Sequence, residues 1–412
     1  MKKKIYLFLF SAIIVFLVFF HFNFFNLKEG IYLKYPNLKT EIRKNFFSKK
    51  SISGNLFNDY NVKFLPETQF LKVNFNTKKI IFNENFYSIH PRESSFTTFY
   101  IDINDDEIWI ADYLGNIYTE NLSQLKNNKK INLKNIDSNL SVRKVLDILI
   151  YENKLFVSFY KPEDDLNCLN IKTAEINHNY LNFEKLFKTC DKLEIAGGKM
   201  QHYKHQGNDG LLITSAASHD NDKANDLSQD DISIYGKILF VDFMTNNSLI
   251  FTKGHRNPLG LYSDEKVVLS TENGPRGGDE INKIIFKANY GWPISSYGEK
   301  YSVKSNKPTY LKDHVSSGYE EPLFAFVPAI GISEIIKLPN EFSNQFIDNF
   351  IVSSLWDSSL YRIKFDENFN RIIFMEKIFV GQRIRDIKYS YKINAIILAL
   401  EEKGELGIIF NN

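Results

Sequence analysis

Phe99 to Asn121 reads FYIDINDDEIWIADYLGNIYTEN. Short runs rich in Ile, Tyr, Phe and Trp are separated by Asp105-Asp106 and by Leu114-Gly115-Asn116. Aromatic and β-branched residues suit strands. Asp, Asn and Gly supply the tight turns between them. The rhythm returns in VLDILIYENKLFVSFY (Val145 to Tyr160) and in YSYKINAIILALEEKGELGIIF (Tyr389 to Phe410). Repeated antiparallel sheets of this kind predict an all-β protein, a β-propeller. Roughly 340 residues at ~45 to 60 per blade give six or so blades. A pair of β-sandwiches is the alternative. The propeller is favoured because its loops converge on one channel mouth.

Working outward, Lys72 to Phe82 reads as two runs around a polar turn, and Tyr180–Lys188 and Asn340–Asn349 as short helices. The propeller is expected over 63–412, after a polar juxtamembrane spacer at 28–62 and a signal segment at 1–27. Lys2, Lys3 and Lys4 precede the uncharged run Ile5 to Phe20. A basic start before an apolar run is the layout of an export signal. The run approaches the ~20 residues that span a bilayer, and no small-x-small cleavage site follows it. A retained anchor is therefore expected, a membrane-spanning helix with the body outside. In a Gram-negative cell that is the periplasm. A cleaved signal and secretion are the alternative. Cys168 and Cys190 are the two cysteines. In an exported, oxidised chain they are expected to pair, free thiols being the other possibility.

The net charge of +2 argues against a polyanion-binding surface, and no nucleic-acid partner is expected. The polar chemistry is concentrated in Lys253 to Tyr301, which holds seven of the 20 glycines and three of the 11 prolines. Within it, Gly254-His255-Arg256-Asn257-Pro258 aims a planar guanidinium and a carboxamide from a shaped backbone. That pair suits an anionic ligand. Glu272-Asn273-Gly274-Pro275 is a turn with exposed carbonyls, followed by Asp279-Glu280. Hard cations take such carboxylates and carbonyls. On the spacing alone an ordinary charged turn is the favoured reading. Later, Arg383 and Arg385 in GQRIRD lie two apart, on one face if the segment is a strand.

GHRNPLGL, TENGPRGGDEIN, NYGWP and GQRIRD, in that order, resemble the soluble quinoprotein glucose and aldose sugar dehydrogenases, the glucose/sorbosone dehydrogenase family. The resemblance is specific over Gly254–Gly298 and Gly381–Ile387. It implies a six-bladed propeller with pyrroloquinoline quinone and calcium at the channel mouth. It implies oxidation of a sugar or other alcohol outside the cytoplasm, with an electron acceptor it does not name. Arg256, Asn257, Asn273 and Tyr301 fall at quinone-contacting positions, and Arg383 and Arg385 where its carboxylates are neutralised. The carbonyls of Gly274 and Pro275 correspond to ligands of the catalytic calcium. Glu280 and Tyr290 fall where relatives bind a second, structural calcium.

One departure stands against these matches. The family's general-base histidine corresponds here to Ile195, in Ile195-Ala196-Gly197-Gly198-Lys199, and isoleucine takes no proton. The acid that assists that histidine would fall near Ala217 or Ser218. His202 and His205 are read as residues of a solvated loop. Two functions are therefore expected to compete. One is a quinone-dependent dehydrogenase with a shifted base. The other is a catalytically degenerate propeller that binds a ligand or a partner protein. No nucleophile-elbow motif supports a hydrolase.

Overall fold

Turn residues with positive φ (Asp105, Glu152, Asn153, Gln206 and Asn394 among them) fold the apolar runs back on themselves as hairpins. In this computed structural model the described residues are 75–82, 97–142, 144–191, 196–217, 225–300 and 310–411. They belong to one compact unit. The signal segment, the spacer, Ile195 and Tyr301 lie outside them. Among the described residues no helix is long and apolar enough to cross a membrane.

The sheets are six, each an antiparallel meander in its main part, so the expected β-propeller is present. In chain order the blades begin with the strands Phe99–Asn104, Lys144–Tyr151, Ala196–His205, Pro258–Ser263, Ile332–Lys337 and Ile384–Ser390. These innermost strands neighbour one another in a closed ring. Blade six is completed from both chain regions: Phe75–Phe82 pairs antiparallel with Glu405–Asn411. Such closure joins the first and last described strands of the chain in one sheet.

Three sequence expectations are corrected. Lys72–Phe82 does not form a hairpin: Phe75–Phe82 is one continuous strand. Its lysines are strand residues, and Lys78 reaches the carbonyls of Leu125 and Lys126 at 3.1 and 2.7 Å. Tyr180–Lys188 is not a helix but parts of two strands, Tyr180–Leu181 and Glu184–Asp191. Leu181, Phe183, Leu186 and Phe187 bury against neighbouring sheets, and tertiary burial overrides weak helix propensity. In Asn340–Asn349 only the 3-10 turn Asn344–Phe346 forms. Cys168 and Cys190 do pair, as directly opposed residues of two adjacent strands of blade two.

The core is the stack of apolar faces between blades. Phe99, Ile101, Ile108 and Ile110 of blade one meet Ile397, Ala399, Leu406 and Ile408 of blade six. Comparable clusters join the other blades.

Candidate functional site

Antiparallel pairing brings the start of each inner strand to the end of its neighbour, so the residues flanking those points share one end of the ring. Arg256 and Asn257 stand just before Pro258–Ser263, and Asn273, Gly274 and Pro275 just after Val268–Glu272. Arg383 and Arg385 lie at the start of Ile384–Ser390, and Glu401 follows Ala395–Leu400. The sequence-separated motifs therefore converge on one mouth.

Arg256 and the Gly-Pro turn are locked together. Arg256 Nη1 donates to the carbonyls of Asn273 and Gly274, both at 2.6 Å. Its guanidinium lies 5.5 Å from the ring of Trp292, and its backbone N–H donates to the Glu272 carboxylate. Asn273 N–H donates to Asn257 O at 2.9 Å. The Asn257 side-chain oxygen is buried and finds no partner among the described residues.

Asp279, adjacent to Glu280, has a structural task. Its carboxylate accepts from the backbone N–H groups of Gly274, Ile330 and Ile332, each at 2.9 Å. One buried carboxylate so ties the carbonyl turn to the loop before blade five. A Cβ at Gly274 would run into the Gly278 carbonyl, so this turn accepts no side chain there.

Glu280 is buried and, among the described residues, accepts a 3.3 Å bond from Asn282. Burial, then the nearby Glu272 charge, hold its carboxyl well above the usual range. His314 is buried, with Nε2 3.8 Å from Glu280. The Tyr290 hydroxyl is already committed, donating to Lys283 O at 2.6 Å and accepting from Ile285 N–H at 3.0 Å. Only its backbone remains for a metal. Among the described residues no three His, Cys, Asp or Glu side chains form a metal cage, so a cation here depends on carbonyls.

Arg383 and Arg385 do share a face, and the sequence reading missed what holds them. Arg383 Nε donates to one oxygen of Glu401 at 2.7 Å and Arg385 Nε to the other at 2.6 Å. Glu401 is fully buried. Despite burial, the two guanidiniums pull its carboxyl down to about 2.

Below the arginines lies a second group without local sequence warning. Lys199 Nζ contacts Asp147 at 2.7 Å, Asp386 at 3.3 Å, and Glu334. These carboxylates come from the inner strands of blades two, six and five. Blades two and five face each other across the ring, as do three and six, so the ammonium sits on the axis. Ladder irregularities at Val145/Asp147, Gly197/Met200, Ile332/Ile335 and Ile384/Asp386 coincide with these residues. Such bulges re-aim side chains. A small cavity between this cluster and the mouth is lined by Tyr100, Gly197, Lys199, Ser333 and Arg385.

His202 and His205 are corrected. Both lie in the strand Ala196–His205, toward its end away from the mouth. His202 stacks on Tyr151 at 3.8 Å, and His205 is buried against Phe240, Phe251 and Phe286. Neither is a solvated loop residue. His255 is buried, its ring nitrogens held by Glu272 at 2.9 Å and Thr252 at 2.8 Å. Ala217 is at the mouth end, its carbonyl accepting from Trp292 Nε1 at 3.0 Å. Ser218 lies outside the described residues.

Arginines, a carbonyl turn and an unpartnered carboxamide oxygen converge at the mouth of a six-bladed propeller. The chain belongs to the glucose/sorbosone dehydrogenase family, whose pattern matches residues 147–408. It is 32% identical over 161 residues to an uncharacterised protein of Synechocystis, covering 38% of each chain. It is 25% identical over 242 residues to the aldose sugar dehydrogenase YliI of Escherichia coli, covering 55% of this chain and 63% of that one. The matches therefore span less than two thirds of those relatives. In fold it is similar to the soluble aldose sugar dehydrogenase of E. coli, with a TM-score of 0.64 at 18% identity over 82% of this chain and 100% of that one. It is also similar to the PQQ-bound aldose sugar dehydrogenase of Streptomyces coelicolor, with a TM-score of 0.58 at 16% identity over 82% and 98% of the respective chains.

Proposed function

We propose that this protein oxidises a sugar or another alcohol, using pyrroloquinoline quinone and calcium at the mouth, outside the cytoplasm. The observation that carries this is the convergence of the Glu401-held arginine pair with the unpartnered Asn257 oxygen and the Gly274-Pro275 turn. The donor set fits the group: guanidiniums meet carboxylates, and a buried acceptor without a donor fits a polar ligand. The carbonyl turn fits a hard cation. A carbonyl has two lone pairs, so the Arg256 bond to Gly274 leaves one for the metal.

When bound, the quinone supplies a two-electron hydride acceptor and the calcium a Lewis acid. The chain's own part is binding and orientation. Arg383 and Arg385 bring their positive charge to the mouth while Glu401 fixes their Nε atoms. Arg256 and Asn257 border the carbonyl turn. Glu280 and the Tyr290 backbone, with His314 beside them, would hold the second calcium. Among the described residues no histidine is exposed at the mouth. The competing reading, a propeller that binds without turnover, rests on that same observation and on Ile195.

Reconstitution of the full chain with calcium and quinone, followed by dye reduction with several aldoses, separates the readings. Turnover is the expected outcome. Quinone binding without turnover favours the degenerate protein, and no quinone binding removes the cofactor assignment. Ile195→His is expected to raise activity; no gain with quinone bound would count against Ile195 as the base position. An N-terminal anchor and an unidentified electron acceptor complete this reading, and fractionation of expressing cells tests the anchor.

A further inference from the structure

We propose that the indole of Trp356 is a stacking platform for the ring of the sugar substrate; the substrate class rests on the reading above. Of the three tryptophans, Trp109 and Trp292 are buried, while Trp356 is 69% exposed. Its backbone follows the strand Asn349–Ser354, at the same end of the ring as the arginines.

An exposed indole on a loose loop would carry little meaning, but the backbone that carries this one is tied down. Trp356 N–H donates to Ile330 O at 3.1 Å, and Asp357 N–H to the same oxygen at 2.9 Å. Leu355 N–H donates to Gly331 O at 2.6 Å. Gly331 has φ +65, and a Cβ there would lie 2.7 Å from Trp356 N and 2.8 Å from Trp356 Cβ. Only glycine lets the two backbones meet so closely. On the other side, the Asp357 carboxylate accepts from Tyr361 at 2.6 Å and pairs with Lys377 at 2.7 Å.

The mounting also fixes the backbone that carries the indole relative to the site. Ile330, its backbone partner, is bound through its own N–H to Asp279, which also binds the Gly274 turn. Leu355 O accepts from Arg383 Nη1 at 3.4 Å. The platform is thus joined to the carbonyl turn through Ile330 and Asp279 and to the arginine pair through Leu355. A flat apolar face beside charged and carbonyl groups is complementary to a sugar, which presents C–H faces and hydroxyl edges. A rigid aromatic supplies contact area at low entropic cost.

Titration of the full chain with D-glucose and D-xylose, with and without bound quinone, tests this. Intrinsic fluorescence is expected to change with sugar, and Trp356→Phe to abolish that change while keeping sugar affinity within about threefold. Trp356→Ala should raise the sugar KM about five- to tenfold, move kcat far less, and leave quinone affinity intact. Unchanged sugar affinity in Trp356→Ala would overturn the proposal, as would a loss of quinone affinity in its place. The cofactor reading fails separately: if no quinone binds but sugar still perturbs Trp356, the platform stands and the cofactor does not.

Discussion

Arg385 donates its Nε to Glu401 at 2.6 Å, and Arg383 occupies the other oxygen of that carboxylate. The carboxylate lowers the local charge, yet it orders both guanidiniums before any ligand arrives. Charge-assisted pairs of this geometry are strong. Arg385→Ala is expected to lower quinone affinity about a hundredfold, from losing charged hydrogen bonds. Equilibrium titration of the apoprotein measures it, and an unchanged affinity would remove Arg385 from the binding set.

The same triad sets an acid limit. The Glu401 carboxyl is lowered from its ordinary 4.5 to about 2. A lowered carboxyl favours the folded state above its unfolded value. That contribution is complete above about pH 4.5 and is lost as pH falls toward 2, on the order of 3 kcal/mol in all. Urea unfolding at stepped pH should show this slope in the wild type and a flatter one in Glu401→Gln.

On the axis the sign reverses. Burial, only partly offset by Lys199, raises Glu334 to about 7 and Asp147 to about 6. Lys388 and Asp386 face the same cluster. A raised carboxyl stabilises the fold below its unfolded value, and this is lost as pH rises through 6 to 7. Glu334→Gln should flatten the melting-temperature profile across that window. Lys199→Met, which strands buried carboxylates, should cost about 3–5 kcal/mol.

Asp279→Ala leaves the N–H groups of Gly274, Ile330 and Ile332 without their acceptor. A loss of about 2–4 kcal/mol is expected. Because the carbonyl turn is released, calcium affinity should fall as well. Calorimetric titration with calcium checks it; a stable variant with wild-type calcium binding would contradict the assigned tie.

The blade rhythm was legible because hairpin turns and apolar alternation are local signals, and Arg256, Asn257, Arg383 and Arg385 were legible because their motifs are contiguous. Glu401 was not, since it meets its arginines only after the next hairpin folds back. The axial cluster was scattered over four blades. A signal did exist: an acid before isoleucine recurs in the inner strands, as Asp102-Ile103, Asp147-Ile148, Glu334-Ile335 and Asp386-Ile387. An acid before isoleucine in four of the six inner strands marks a common axis. Tyr180–Lys188 misled because its apolar spacing serves two short strands as well as one helical turn.

Lys199 and its three carboxylates have a kinetic corollary. They occupy the axis of the ring below the arginines. The mouth beside the arginines is the doorway of the proposed reaction. An alcohol and an electron acceptor using it would take turns, the oxidised product departing before the acceptor arrives. Initial rates measured against both would then give parallel lines in double-reciprocal form, and excess of either partner would slow the other.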